Sequence, residues 1–197
     1  YTGWLRGFLD AVGVGRAALV GHSMGGGLAL SLALTDSAGV DRLILVSGFP
    51  RDVLSLIRGP YLKLFARLGS GLLFGLGYHL MGRRAFRKFI GGLVRDRNLA
   101  TPAVIERAYR LRKDCGRARP LWSTLQHVTD WENDYAPRLG SVNTPTLILW
   151  GRQDRFIPCS AGEELHRTIP GSRLAVLSDA GHLPMWERPD EVNRLIT

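Results

Sequence analysis

Residues 17–27 read Ala17-Ala-Leu-Val-Gly-His-Ser-Met-Gly-Gly-Gly27, and this stretch decides the fold. A short apolar run stops at Gly21, a serine follows two residues later, and an almost uncharged segment then extends to Thr35. Four apolar residues closed by a glycine fit a strand buried on both faces. The segment from Met24 to Thr35 has helical length and no proline, so the stretch predicts strand, sharp turn, helix.

The same alternation recurs on either side. Arg42-Leu-Ile-Leu-Val46 and Thr146-Leu-Ile-Leu-Trp150 are apolar runs bounded by Gly48 and by Pro145 and Gly151, and Leu174-Ala-Val-Leu177 is a fourth. Ser160-Ala-Gly-Glu163 has the spacing of a capping box and predicts a helix start, with Pro170-Gly171 marking its end. Pro189 stands where a last helix can begin. Continuous apolar strands separated by helices predict an α/β fold with a mostly parallel sheet covered on both faces. At the start, Trp4, Leu5, Phe8 and Leu9 fall on one face of a helix.

Between the second and third strands the pattern changes. Residues 51–139 carry no strand signal, whereas Ile57, Tyr61, Leu64, Phe65 and Leu68 share one helical face and Phe86, Phe89, Ile90, Leu93 and Val94 another. Thr101-Pro102 reads as an N-cap followed by proline at the first helical position. Charge changes in the same place. Residues 51–120 hold 16 Lys/Arg against 4 Asp/Glu, a balance of +12, while the rest of the chain is at −3 and the whole at +9. The reading is an inserted, basic helical lid over 51–139, flanked by core segments 1–50 and 140–197.

At 197 residues and 45% hydrophobic content, the chain is long enough for one folded domain with an insertion. Cys115 and Cys159 sit in unrelated contexts without metal-ligand spacing, so neither a disulfide framework nor a zinc site is expected, and no cofactor is implied. The uncharged, glycine-rich stretch Leu68 to Gly82 is short for a membrane span. Both ends fall inside helical patterns and residue 1 is not Met, so the chain is expected to be the C-terminal part of a longer protein.

Three sequence positions point to chemistry. Gly21-His22-Ser23-Met24-Gly25 matches G-x-S-x-G between a strand and a helix, which lifts the Ser23 hydroxyl above the sheet at a helix N-terminus. Glycines two residues either side are expected because a side chain at a strained turn would collide with its neighbours. The N–H of Met24, together with the helix dipole, can stabilise an oxyanion there. A serine hydroxyl needs a base. Of His22, His79, His127, His166 and His182, His182 follows the fourth strand in a loop that would overhang Ser23. His22 points away from its neighbour on the turn, and the other three lie in lid or helix contexts. The base needs a carboxylate to fix its tautomer. Asp154, just past the third strand, is the expected acid, with Asp179 as its rival.

Gly-His-Ser-Met-Gly-Gly, Trp-Gly-Arg-Gln-Asp-Arg-Phe-Ile-Pro and Ala-Gly-His-Leu-Pro-Met-Trp-Glu-Arg-Pro-Asp-Glu-Val-Asn-Arg-Leu together resemble the nucleophile, acid and histidine regions of the α/β-hydrolase fold family. The resemblance covers residues 1–50 and 140–197, and the order Ser, Asp, His is that family's order. It implies a Ser23–His182–Asp154 triad, an acyl-enzyme intermediate, and a second oxyanion donor upstream of residue 1. The last two motifs are similar to those of carboxylesterases and of C–C bond hydrolases that cleave vinylogous diketones in aromatic degradation. Those C–C hydrolases usually carry Asn where this chain has His22, which favours the ester reading.

The expectation is therefore a serine hydrolase acting on a small acyl substrate, most naturally a carboxylic ester. C–C bond hydrolysis is the alternative, as is a hydrolase-like module without activity of its own. Charge alone does not indicate nucleic acid, since no recognition motif accompanies it. The basic lid leaves open a solvated face, peripheral contact with an anionic membrane, and attraction of an acidic substrate.

Overall fold

The computed structural model describes residues 1–56, 71–113 and 118–197. Four strands, β1 (Ala17–His22), β2 (Val40–Val46), β3 (Thr146–Gly151) and β4 (Arg173–Leu177), form one sheet in sequential order. All three pairings are parallel, so each crossover passes through a helix or, between β2 and β3, through the lid.

The apolar strands are continuous because successive side chains serve two cores. On one face Leu43, Leu45, Ile148 and Trp150 pack with α1 (Thr2–Ala11), α2 (Met24–Thr35) and the helix Cys159–Thr168. On the other face Ile44, Val46, Leu149 and Leu177 pack with Val192 and Leu195 of the helix Pro189–Ile196. Burying one such side chain stabilises the fold by about 1.5–3 kcal/mol. Val20 pairs in register with Ile44 but is 58% exposed, because the C-terminal helix covers β2 to β4 and stops short of β1.

Two expectations need correction. The helix after β3 begins at Cys159 with Pro158 as N-cap, and no side chain caps it, so the Ser160–Glu163 capping box does not form. The proline fixes an extended entry, and the helix starts two residues too early for the box. The apolar face of α1 is also split. Leu9 is buried and Leu5 packs on the core, while Trp4 and Phe8 stack on each other at 5.9 Å with Trp4 70% exposed.

The described part of the lid contains no strand and four longer helices, Gly71–Leu80, Arg83–Leu93, Pro102–Lys113 and Ala118–Gln126. Thr101 caps the third as expected, its Oγ1 accepting from the Val104 N–H at 3.3 Å. Phe74 meets Trp122 at 5.3 Å between the first and last of these helices. Phe86, Ile105 and Tyr109 join the middle two. The buried Arg112 guanidinium lies over the rings of Tyr78, Phe86 and Tyr109 and donates to the Met81 carbonyl at 2.7 Å. Arg84, Arg87 and Lys88 are exposed, whereas Arg83 and Arg110 share Glu106.

The lid is also tied into the sheet's core at both of its ends. Val53, Val128, Trp131 and Leu139 belong to the same cluster as Leu43 and Trp150, and the Trp131 indole N–H donates to the Pro50 carbonyl at 2.9 Å. The helical face of Ile57, Tyr61, Leu64, Phe65 and Leu68, and Cys115, lie outside the described residues. Cys159 is a free, half-buried thiol whose pKa burial pushes up. Among the described residues, no helix is long and apolar enough to cross a membrane.

Candidate active site

The serine stands where β1 turns into α2. Its backbone has φ 52° and ψ −118°, a region that side chains rarely occupy, and its N–H donates to the Val46 carbonyl at 2.9 Å. The neighbouring strand thus holds a strained turn in place. The glycine constraint is displaced from the expected pattern. A Cβ on Gly21 would strike the Gly25 carbonyl, as anticipated, but a Cβ on Gly25 would meet nothing within 4 Å. Gly26 is the crowded position, with its would-be Cβ 2.9 Å from the Gly48 Cα. The helix approaches the β2 exit along that side.

Asp154 arrives from the turn after β3. Its side chain is fully buried and its two oxygens do separate things. Oδ1 accepts from the N–H groups of Phe156 and Ile157 at 2.8 and 2.9 Å, and Oδ2 accepts from His182 Nδ1 at 2.8 Å. The turn is stitched to the histidine loop, since Gln153 N–H donates to the Ala180 carbonyl at 3.0 Å and Arg152 N–H to the Leu177 carbonyl at 2.9 Å. The other ring nitrogen of His182, Nε2, lies 3.2 Å from Ser23 Oγ.

The structure thus brings Ser23, His182 and Asp154 into one connected line, with His182 only 3% exposed. Asp179 is elsewhere: it bridges Arg95 and Arg188 at 3.3 and 2.8 Å on the surface. Met24 opens α2, and the first N–H groups of a helix have no partner inside it, so this N–H is free to serve an oxyanion. A second donor, expected ahead of Tyr1, falls outside the described residues.

The remaining histidines separate by environment. His127 Nδ1 lies 2.6 Å from the Ser123 carbonyl, His166 Nδ1 lies 3.0 Å from Ser172 Oγ, and His79 rests edge-on to Tyr78. His22 is closer to the chemistry than its sequence context implies. Its Nε2–H donates to the backbone carbonyl of His182 at 2.8 Å, and the two rings lie 5.0 Å apart. Burial holds its pKa below the ordinary 6.5, with the bond to the His182 carbonyl opposing. Neutral imidazole is enough for that single donation.

Two contacts to His182 and one to the residue before it have no signal in the sequence. Phe156 presents its ring at 5.0 Å, the His182 N–H donates to the lid carbonyl of Leu93 at 2.7 Å, and Glu187 holds the preceding residue, Gly181. Glu187 stands in the Met-Trp-Glu-Arg-Pro run, but nothing in its spacing announces a backbone acceptor. Among the described residues, no group of three or more His, Cys, Asp or Glu could hold a metal ion.

The profile of the alpha/beta hydrolase fold matches residues 2–189, running through the lid as well as both core segments. The chain is 32% identical over 202 residues to the 2-hydroxy-6-oxononadienedioate/2-hydroxy-6-oxononatrienedioate hydrolase 1 of Dechloromonas aromatica, covering 98% of this chain and 64% of that protein. It is 32% identical over 192 residues to the 2-hydroxy-6-oxo-6-phenylhexa-2,4-dienoate hydrolase of Comamonas testosteroni, covering 97% and 65%. The chain therefore spans slightly less than two thirds of these relatives' length. Among solved structures, a meta-cleavage product hydrolase from Pseudomonas fluorescens superposes with a TM-score of 0.77 at 26% identity, over 98% of this chain and 67% of that one. An N-acyl homoserine lactone degrading enzyme superposes at 0.73 and 25%, over 99% and 71%.

Proposed function

Because the chain belongs to the alpha/beta hydrolase fold family, we propose that its protein is a serine hydrolase that cleaves a carbon–carbon bond beside a ketone in a 2-hydroxy-6-oxo-dienoate. The observation that carries the hydrolase reading is the connected line Ser23 Oγ–His182 Nε2 and His182 Nδ1–Asp154 Oδ2. The substrate class rests on the names of the relatives at 32% identity. These names favour the alternative weighed in the sequence over ester cleavage.

In this reading Ser23 Oγ adds to the ketone carbon as its proton passes to His182 Nε2. Asp154, already accepting from Nδ1, keeps the imidazole in the tautomer that can take that proton and then stabilises the cation. The carbonyl oxygen becomes an oxyanion facing the Met24 N–H, and such a donor typically contributes about 2.7–4 kcal/mol to the transition state. When the oxyanion collapses, the bond to the neighbouring carbon breaks. For that bond's electron pair to be stabilised, the dienol first moves its 2-hydroxyl proton to the carbon beside the ketone. The pair then delocalises as a dienolate onto the resulting 2-oxo group, and His182 returns the proton to it. Water then releases the acyl group from Ser23, its proton again passing through His182.

Ester hydrolysis is the second reading, and a specific residue favours it. His22 occupies the position before the nucleophile where C–C hydrolases usually carry Asn, and one structural neighbour is an N-acyl homoserine lactone degrading enzyme. Both reactions use the same three residues up to the identity of the leaving group.

The test is a substrate panel on the intact protein. Loss of the dienoate chromophore of 2-hydroxy-6-oxo-6-phenylhexa-2,4-dienoate is followed beside hydrolysis of short p-nitrophenyl esters. The proposal expects a higher kcat/KM for the dienoate, with both activities abolished in Ser23→Ala. Ester turnover without dienoate cleavage would overturn the C–C reading and leave the esterase.

A further inference from the structure

Two segments meet at His182, and one carboxylate holds both. Glu187 closes the short helix Pro184–Glu187 that follows the histidine. Its Oε1 accepts from the N–H of Gly181 at 2.5 Å, one residue before His182. Its Oε2 accepts from the N–H groups of Arg95 and Asp96 at 2.6 and 3.3 Å, just past the C-terminal end of the lid helix Arg83–Leu93. Beside these bonds the His182 N–H donates to the Leu93 carbonyl at 2.7 Å. The two backbones are so close that a Cβ on Gly181 would lie 2.8 Å from the Leu93 oxygen.

None of these N–H groups has a place in the sheet, so each needs an acceptor of its own. A charged acceptor answers the need, since bonds to an ionised oxygen are shorter and about twice as strong as neutral ones. The neighbouring charges leave Glu187 free for the task. The side chains of Arg95 and Arg188 both go to Asp179, so the basic partners within reach do not compete for its oxygens.

We infer that Glu187 is a positioning residue that latches the histidine loop to the lid, so the lid helps to set where the His182 imidazole stands relative to Ser23 and Asp154. The inference rests on the serine hydrolase reading above. Glu187 touches none of the reacting atoms. It acts through Gly181, whose displacement would move the next residue's ring, and misplacing a reacting group by 1 Å can cost about 10²-fold.

The experiment uses the intact protein and a fluorophosphonate probe, which reports the Ser23–His182 unit whatever the natural substrate. Glu187→Gln replaces one acceptor oxygen with an NH2 group that cannot accept, and so opens one side of the latch. Asp179→Asn disturbs the neighbouring ion pairs only. The expected result is labelling slowed at least about 10-fold in Glu187→Gln, wild-type labelling in Asp179→Asn, and a comparable melting temperature for both. The downfield proton resonance of His182 Nδ1–H should shift or vanish in Glu187→Gln alone. Wild-type labelling in Glu187→Gln overturns the inference, and so does equal slowing in Asp179→Asn, which would report only the general integrity of the cluster. An unlabelled wild type would instead refute the serine hydrolase reading itself.

Discussion

The backbone N–H of His182 donates to the Leu93 carbonyl at 2.7 Å, so the proposed base takes a main-chain contact from the lid. Its side chain, by contrast, answers to residues at the ends of β1 and β3. A lid joined to the sheet's core through Trp131 and Val53 and to the base through Leu93 is part of the site's framework.

Asp154→Asn should leave the fold intact, because the amide oxygen can still accept from Phe156 and Ile157. The amide nitrogen would then face His182 Nδ1 as a donor and force the wrong tautomer, with an expected loss in kcat of about 10⁴. Asp179→Asn should change kcat little, since Asp179 pairs only with exposed arginines. Parallel steady-state kinetics check the pair, and a crippled Asp179→Asn beside a mild Asp154→Asn would reverse the assignment.

The glycines after the serine should separate cleanly. Gly25→Ala meets open space and gains helix propensity, worth about 0.8–1 kcal/mol in a helix interior and less at its first turn. Gly26→Ala drives a methyl against the Gly48 backbone and should cost about 1–3 kcal/mol. Urea midpoints measure both, and equal stability for the two variants would contradict the crowding seen at Gly26.

His22 gives a pH dependence whose sign follows from burial. Its folded pKa lies below the unfolded value of 6.5, so on acidification the unfolded chain takes up the proton first. The stability tied to neutral His22 is present above pH 6.5 and is lost as pH falls from there toward the folded midpoint. His22→Gln should therefore lose less stability than the wild type between about pH 7 and about pH 5. An NMR titration of the His22 ring with a midpoint above 6.5 would refute this.

Much of this was legible because β2 and β3 are buried on both faces, which makes Arg42-Leu-Ile-Leu-Val46 and Thr146-Leu-Ile-Leu-Trp150 read as unbroken apolar runs. The line of Ser23, His182 and Asp154 followed from position, since each comes just past the end of a strand in a parallel sheet. Contacts that depend on how two loops pack were not legible. Glu187 binds backbone N–H groups 6 and 92 residues away, and such partners leave no periodicity. The helix start at Cys159 was missed because Ser160 and Glu163 have the right spacing, yet Pro158 already sets the entry. The contact of His22 was not legible either, since its partner is a carbonyl 160 positions away.

Ser47 provides the last prediction. It follows β2 directly, is fully buried, and has φ 44°, a left-handed conformation that costs a side chain about 1–2 kcal/mol. Its N–H is held by the Leu149 carbonyl at 2.9 Å, but its hydroxyl oxygen has no hydrogen-bond partner among the described residues. A buried hydroxyl left unpaired costs about 1–3 kcal/mol more. Glycine adopts the left-handed region freely and carries no hydroxyl, though it forfeits some entropy in the unfolded chain. Ser47→Gly should therefore stabilise the protein by about 1–2 kcal/mol, raising the melting temperature by roughly 2–8 °C for a domain of this size. Ser47→Ala keeps the backbone strain while removing the hydroxyl, so it should recover only part of that gain. Thermal unfolding of the three proteins decides the matter. A destabilised Ser47→Gly would mean that the hydroxyl makes a stabilising bond through bound water, and that this buried turn is not under strain.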